Sequence, residues 1–121
     1  MNKSDFIETD GFWEAIVDGI EISISEDIMS DAVLQFTEKI LQAYPKKIVA
    51  MAEHISRDKM IVTNYNLSKE DIANKLNKPN ILIGENCGKL SYYDNEIDHE
   101  HILEIEFEGV LEEFHEVSMD C

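Results

Sequence analysis

The stretch DHEHILEIEFEG, residues 98–109, alternates apolar and acidic side chains through its second half. The apolar members and the glutamates between them are Leu103, Ile105 and Phe107, and Glu104, Glu106 and Glu108. Successive side chains of a β-strand point to opposite faces of a sheet, so a period of two predicts a strand over Ile102–Glu108. The apolar side of that strand belongs in a core, and the three glutamates are expected to stand on an outward face.

Other segments show the same period on both sides of this stretch. The dipeptide Asp18-Gly19 suits a tight hairpin turn, and isoleucines alternate with polar residues after it. Past Pro79 the strand pattern returns, with Glu85-Asn86-Cys87-Gly88 as a connecting loop. The predicted strands are Phe12–Val17, Ile20–Ser25, Asn80–Gly84, Lys89–Tyr93, Ile102–Glu108 and Phe114–Met119.

The middle of the chain has helical spacing. Ser30 is a suitable N-cap for an apolar stripe that runs to Tyr44, and a second stripe follows Pro45. Proline is tolerated in the first turn of a helix and disfavoured in its interior, so we expect a new helix to begin at Pro45. A short helix capped by Ser68 should end before Pro79, while the segment 59–66 has no clear assignment.

Strands at both ends with helices between them predict an α+β domain. We expect one largely antiparallel sheet, built from the N-terminal hairpin and the C-terminal strands, with the helices packed on one face. The 121 residues suit a single domain, residues 1–121. There is no linker, repeat or low-complexity segment.

Charge is distributed very unevenly along the chain. Residues 1–34 hold nine acids and one base, residues 35–89 six acids and nine bases, and residues 90–121 eleven acids and no base, which gives −8, +3 and −11 and a total of −16. Such a surface repels phosphate, so direct binding to nucleic acid or to an anionic membrane is not expected. The expected partner is a basic protein.

The remaining composition narrows the class of protein. No apolar run approaches the length of a membrane span, and we expect a cytoplasmic protein, monomeric or weakly dimeric. Cys87 and Cys121 are too few for a disulfide framework and are expected to be reduced thiols. There is no nucleophile elbow, P-loop or dinucleotide-binding motif, so the chain is not expected to be an enzyme, and no cofactor is expected.

The candidate site is the acidic C-terminal third. Like charges at adjacent strand positions repel, and the absence of any lysine after Lys89 suggests that this strain is tolerated for binding. One of Tyr92 and Tyr93 should face outward beside the carboxylates. The predicted partner-binding residues are Tyr93, Asp98, Glu100, Glu104, Glu106, Glu108, Glu112 and Glu116. The plain alternative is a solvated face without a partner, and a subunit of a larger assembly is also open.

A small metal-dependent enzyme, or a metal-binding protein, that uses His99 and His101 is the alternative from another functional class. His99 and His101 are two residues apart and would share a face of a strand, where Asp98, Glu100, Glu104 or His115 could complete a site. The spacing is similar to a cupin metal box, but the glycines and proline of such a box are missing.

The segment HILEIEFEGVLEEFHEVSMD, residues 101–120, and the order hairpin, helices, strands resemble small acidic bacterial immunity proteins of contact-dependent growth inhibition and related polymorphic toxin systems. The resemblance covers most of the chain in element order and residues 88–120 in local pattern, and it carries over no functional residue. It implies a protein that neutralises one cognate toxin by occluding the toxin's active or substrate-binding surface. A nuclease is the first candidate for that toxin, because nuclease clefts are basic.

Overall fold

The computed structural model of the chain describes residues 1–120 and shows an α+β fold around one seven-stranded sheet. The strands lie in the sheet in their order along the chain, and every neighbouring pair is antiparallel except β3 and β4, which are parallel. The strands are β1 (Ile7–Thr9), β2 (Phe12–Val17), β3 (Ile20–Ser25), β4 (Asn80–Ile83), β5 (Cys87–Tyr92), β6 (Ile102–Glu108) and β7 (Glu113–Asp120).

The three helices all lie in the connection between β3 and β4. They are α1 (Asp31–Ser56), α2 (Lys59–Asn64) and α3 (Lys69–Lys75). A connection between two parallel neighbours has to cross over the sheet, and helices usually form it. The predicted fold class, a largely antiparallel sheet with helices on one face, is confirmed. In the part of the chain that the structure describes, no helix combines the length and the apolar character needed to cross a membrane.

The prediction that a new helix begins at Pro45 is wrong, because α1 continues through the proline. The buried side of α1 keeps its spacing across this point, from Ile40 and Tyr44 to Met51 and Ile55. The free energy gained by burying that continuous stripe is larger than the cost of the one backbone hydrogen bond that proline cannot donate. Pro45 itself is exposed, so its ring displaces no core side chain.

Each of the two short helices begins directly after a residue whose side chain caps its N-terminus. Ser68 Oγ accepts a hydrogen bond from the Asp71 amide at 3.1 Å and begins α3, as predicted. Asp58 Oδ1 accepts from the amides of Met60 and Ile61 and begins α2, in the segment that had no assignment. An aspartate before an apolar pair was the available signal for this helix.

The core lies between the helices and one face of the sheet. The alternate residues of β3 and β6 that the sequence placed inward are buried, and Ile105 is fully buried beside Leu90 of the neighbouring strand. Tyr92 lies under α1, where its hydroxyl is 2.6 Å from that of Tyr44. Burial raises the pKa of both phenols, so the pair stays uncharged.

Two features of the sheet differ from the sequence prediction. The edge strand β1 was not predicted, and β5 begins at Cys87, within the residues assigned to a loop. In addition, β7 contains a bulge, because Ile105 pairs with Val117 whereas Phe107 pairs with Phe114. One extra residue of β7 is therefore accommodated opposite Glu106.

Candidate functional site

No other part of residues 1–120 covers the face of the sheet turned away from the helices, which is called here the open face. Because side chains alternate along each strand, the registers assign its members directly. They are Ile7, Thr9, Phe12, Glu14, Ile16, Glu21, Ser23, Ser25, Asn80, Leu82, Cys87, Lys89, Ser91, Ile102, Glu104, Glu106, Glu108, Glu113, Ser118 and Asp120.

Among residues 1–120, five of the seven exposed large apolar side chains lie on the open face or beside it, and the other two, Val49 and Val62, lie on helices. Phe12 is 39% exposed and Leu82 42%, and Ile7 and Ile16 on the two N-terminal strands are more exposed still, at 74% and 71%. Tyr93, at 53%, lines the same face beyond the end of β5, whereas its neighbour Tyr92 is buried, which confirms that one of the pair faces outward. Exposed apolar side chains grouped on one face of a sheet are typical of a docking surface.

The charge of the open face is almost entirely negative. Six glutamates stand on it with one base, Lys89, whose Nζ lies 3.2 Å from a carboxylate oxygen of Glu104. Glu104 also accepts a hydrogen bond from Ser91 Oγ at 2.8 Å. The basic residues of α1, α2 and α3 lie on the opposite side of the sheet, and among residues 1–120 none of them pairs with an open-face glutamate. The open face is therefore strongly negative, whereas the helices carry five acids and six bases and are close to neutral.

A trough of about 510 Å³ crosses the open face from β2 to β6. Phe12 and Leu82 form its apolar side, and Glu106, Glu108 and His115 lie at the other end. Four strand spacings separate β2 from β6, which makes the trough about 19 Å wide at the backbone. A concave surface with separate apolar and anionic ends can accept protruding side chains of a partner.

A three-residue group beside the trough has ligand atoms close enough to hold a metal ion: Glu108, Glu113 and His115. His115 Nε2 lies 3.3 Å from Glu108 Oε1 and 3.8 Å from Glu113 Oε2. His115 lies on the same side of β7 as Glu113, next to the bulge. From the other side of the sheet, His54 Nε2 donates a hydrogen bond to the His115 carbonyl oxygen at 2.8 Å. This hydrogen bond ties α1 to β7.

The histidines of the metal alternative do not lie on a strand. His99 and His101 belong to the turn before β6, and in the described part of the chain they do not converge with a third ligand. His101 Nδ1 lies 2.8 Å from Asp98 Oδ2, which also accepts a hydrogen bond from Tyr65 Oη at 2.6 Å. Those two bonds lower the pKa of Asp98 to about 2, and the bond to the carboxylate raises the pKa of Tyr65 to about 12.

The predicted partner-binding residues therefore fall into two groups. Asp98 and Glu100 lie in the loop between β5 and β6, where Asp98 orders the loop through its bonds to Tyr65 and to the Glu100 amide. On the open face or at its margin are Tyr93, Glu104, Glu106, Glu108, Glu112 and Glu116. The sequence analysis missed the apolar half of this surface on β1 to β4, although Phe12, Ile16 and Leu82 stand at outward positions of the predicted strands.

No protein-family model matches the chain, and no curated protein and no solved structure shows significant similarity to it.

Proposed function

We propose that this protein is an inhibitor of the immunity type, which binds a basic toxin domain through the open face and blocks the toxin's active or substrate-binding surface. The supporting observation is that exposed apolar side chains and six glutamates, of which only Glu104 is paired with a lysine, share one uncovered face, while the charges of the helices on the other side nearly balance. A solvated face without a partner explains the glutamates, but it does not explain why Phe12, Ile16 and Leu82 are left exposed among them.

The dimensions of the open face suit such an interface. Six strand spacings make the sheet about 29 Å wide, and six-residue strands are about 20 Å long. The projected area of roughly 580 Å² is close to the approximately 800 Å² of accessible surface that each partner buries in a standard complex. Apolar anchors would supply most of the affinity, and the glutamates would select a basic partner and accelerate the encounter.

The mechanism requires no chemistry by this chain. Its glutamates would occupy the positions that substrate phosphates take in a nuclease cleft, and the body of the protein would exclude the substrate sterically. The toxin is the partner, the cytoplasm is the proposed compartment, and the inhibitor would act as a monomer or a weak dimer without a cofactor.

A capture experiment with paired charge-reversal variants tests the proposal. The wild-type protein, the double variant Glu106→Lys/Glu108→Lys and the matched control Glu70→Lys/Glu96→Lys are immobilised and exposed to lysate of the native strain. Both variants change the net charge by the same amount, but Glu70 and Glu96 are exposed residues outside the open face. We expect a basic protein to be retained by the wild type and the control and lost by the open-face variant.

The captured protein then has to be toxic on its own and neutralised by co-expression of the wild-type chain. Association measured by stopped flow should slow by about tenfold or more in the open-face variant, with a weaker dependence on salt. Equal capture by all three proteins, or equal association rates, would overturn the proposed function.

A further inference from the structure

We infer that the trough on the open face is an anchor site for an amphipathic cationic segment of a protein partner, which inserts an apolar side chain between Phe12 and Leu82 and directs an arginine to Glu106 and Glu108. This inference rests on the proposed function and specifies which chemistry the partner must present.

Small residues separate Phe12 from Glu108 across the trough, whereas Lys89 lies between Leu82 and Glu106 in the register. Ser25 lies opposite Phe12 in the β2–β3 pair, and Cys87 lies opposite Glu108 in the β5–β6 pair. Between them Gly84 contributes no side chain, and a Cβ at that position would lie 2.7 Å from Cys87 Sγ. Any larger residue at Gly84 would therefore displace the thiol and fill the middle of the trough.

The apolar end is not covered by other side chains in the described part of the chain, residues 1–120. Phe12 and Leu82 keep 39% and 42% of their surface exposed although both border the trough. Burying an exposed apolar side chain removes it from water at a gain of about 25 cal/mol for each Å². A leucine or an aromatic side chain of a partner would gain this energy on entering between them.

The anionic end is equally unsatisfied. Among residues 1–120, Glu106 has no hydrogen bond or ion pair through its carboxylate, and Glu108 contacts only His115. Lys89, the base nearest to them, is already paired with Glu104 at 3.2 Å. Two adjacent carboxylates suit a guanidinium, whose planar group donates several hydrogen bonds at once and whose aliphatic stem packs on apolar surface.

The distance between the ends determines the spacing required in the partner. From β3, midway between the strands that carry Phe12 and Leu82, to β6, which carries the glutamates, there are three strand spacings, or about 14 Å. Four residues of extended peptide cover about 13 Å at about 3.3 Å each, and side chains four residues apart point to the same face. The probe that follows from this geometry is the peptide acetyl-Phe-Gly-Gly-Gly-Arg-amide.

Nuclear magnetic resonance titration of the full chain with this peptide, at low ionic strength, tests the inference. We expect the amide signals of Cys87, Lys89 and Glu106 to shift on binding. Replacing arginine by norleucine in the peptide, or using the protein variant Glu106→Gln/Glu108→Gln, should weaken binding by about three- to tenfold. The matched control Glu70→Gln/Glu96→Gln should bind the peptide as the wild type does.

The inference is overturned if the arginine and norleucine peptides bind wild-type protein equally, or if the shifted signals lie elsewhere. The norleucine comparison decides the matter even if a variant fails to fold, because it uses only the wild type. Failure of the peptide, together with open-face-dependent capture of a toxic protein, would remove the anchor site and leave the proposed function intact. Peptide binding without any captured toxin would support the anchor site and remove the proposed function.

Discussion

The electrostatic field of the open face can be measured without a partner through the exposed thiol of Cys87. In a Cys121→Ser background, Cys87 is reacted with a cationic and with an anionic methanethiosulfonate reagent of similar size. Both reagents need the thiolate, so the ratio of their rates is independent of the fraction of thiol that is ionised. Dividing by the ratio for N-acetylcysteine amide removes the intrinsic difference between the reagents.

The expected ratio follows from the sheet register. Glu108 lies directly opposite Cys87, and Glu113 lies opposite Glu108 on the next strand. Their charges are roughly 7 and 10 Å from the thiol, while Lys89 and Glu106 flank it with opposite signs and largely cancel. In water these distances give about 0.6 and 0.4 kcal/mol for each unit charge on the reagent.

Screening at physiological salt reduces the sum to about 0.4 kcal/mol. The cation is attracted and the anion repelled, so the difference is about 0.75 kcal/mol and the cation should react about 3.5 times faster. At 10 mM salt the same sum predicts a ratio of about 13. Glu108→Gln should lower the ratio at physiological salt to about 1.5, and Glu70→Gln, on the helical side, should leave it unchanged.

A normalised ratio near one at low salt, or a ratio that does not change in Glu108→Gln, would show that the open face lacks the negative field on which the proposed function depends.

Three further predictions concern stability and metal binding. Asp98→Asn should destabilise the fold at neutral pH. The hydrogen bonds from Tyr65 and His101 lower the pKa of Asp98 in the folded state to about 2. The ionised carboxylate therefore stabilises the fold at every pH above the pKa of Asp98 in the unfolded chain. Denaturant unfolding of the two proteins should converge as the pH falls towards 2, and a difference that is constant with pH would contradict the assignment. Pro45→Ala should raise the free energy of unfolding by about 1–3 kcal/mol, because Pro45 is exposed inside α1 and alanine restores the missing amide donor; a loss of stability would show that the ring packs. In calorimetric titration with zinc chloride, any binding should disappear in His115→Ala and persist in His101→Ala. The reason is that, of the histidines in the described chain, only His115 lies with two carboxylates in a group of mutually close ligand atoms. The opposite pattern would favour a metal site at His99 and His101.

Local sequence patterns predicted most of the strands correctly for a physical reason. The strand Ile102–Glu108 has the predicted bounds, and the hairpin around Asp18-Gly19 forms as expected. In both segments the pleat of the strand itself makes successive side chains alternate between core and solvent. The pattern can therefore be recognised without knowing which strands lie next to it. The outward position of Glu104, Glu106 and Glu108 follows from the same alternation.

Helix continuity and loop geometry were beyond local patterns. Whether Pro45 ends a helix depends on how much apolar surface the following turns bury against the sheet, which is a tertiary quantity. The prediction that His99 and His101 would share a face of a strand was wrong for a similar reason. Asp98 accepts hydrogen bonds from Tyr65 and His101, and this fold of the loop removes the histidines from any strand.

The sequence by itself determined that this protein is an α+β domain with a row of outward glutamates, because period-two alternation is a property of each strand alone. The tertiary structure decided what those glutamates stand beside. The parallel pairing of β3 with β4 joins the N-terminal strands to the C-terminal ones in one sheet, and so brings Phe12 and Leu82 to the same face as Glu106 and Glu108. Residues this far apart in the chain meet only through strand order, which depends on the summed packing of the whole core and cannot be read from any one segment.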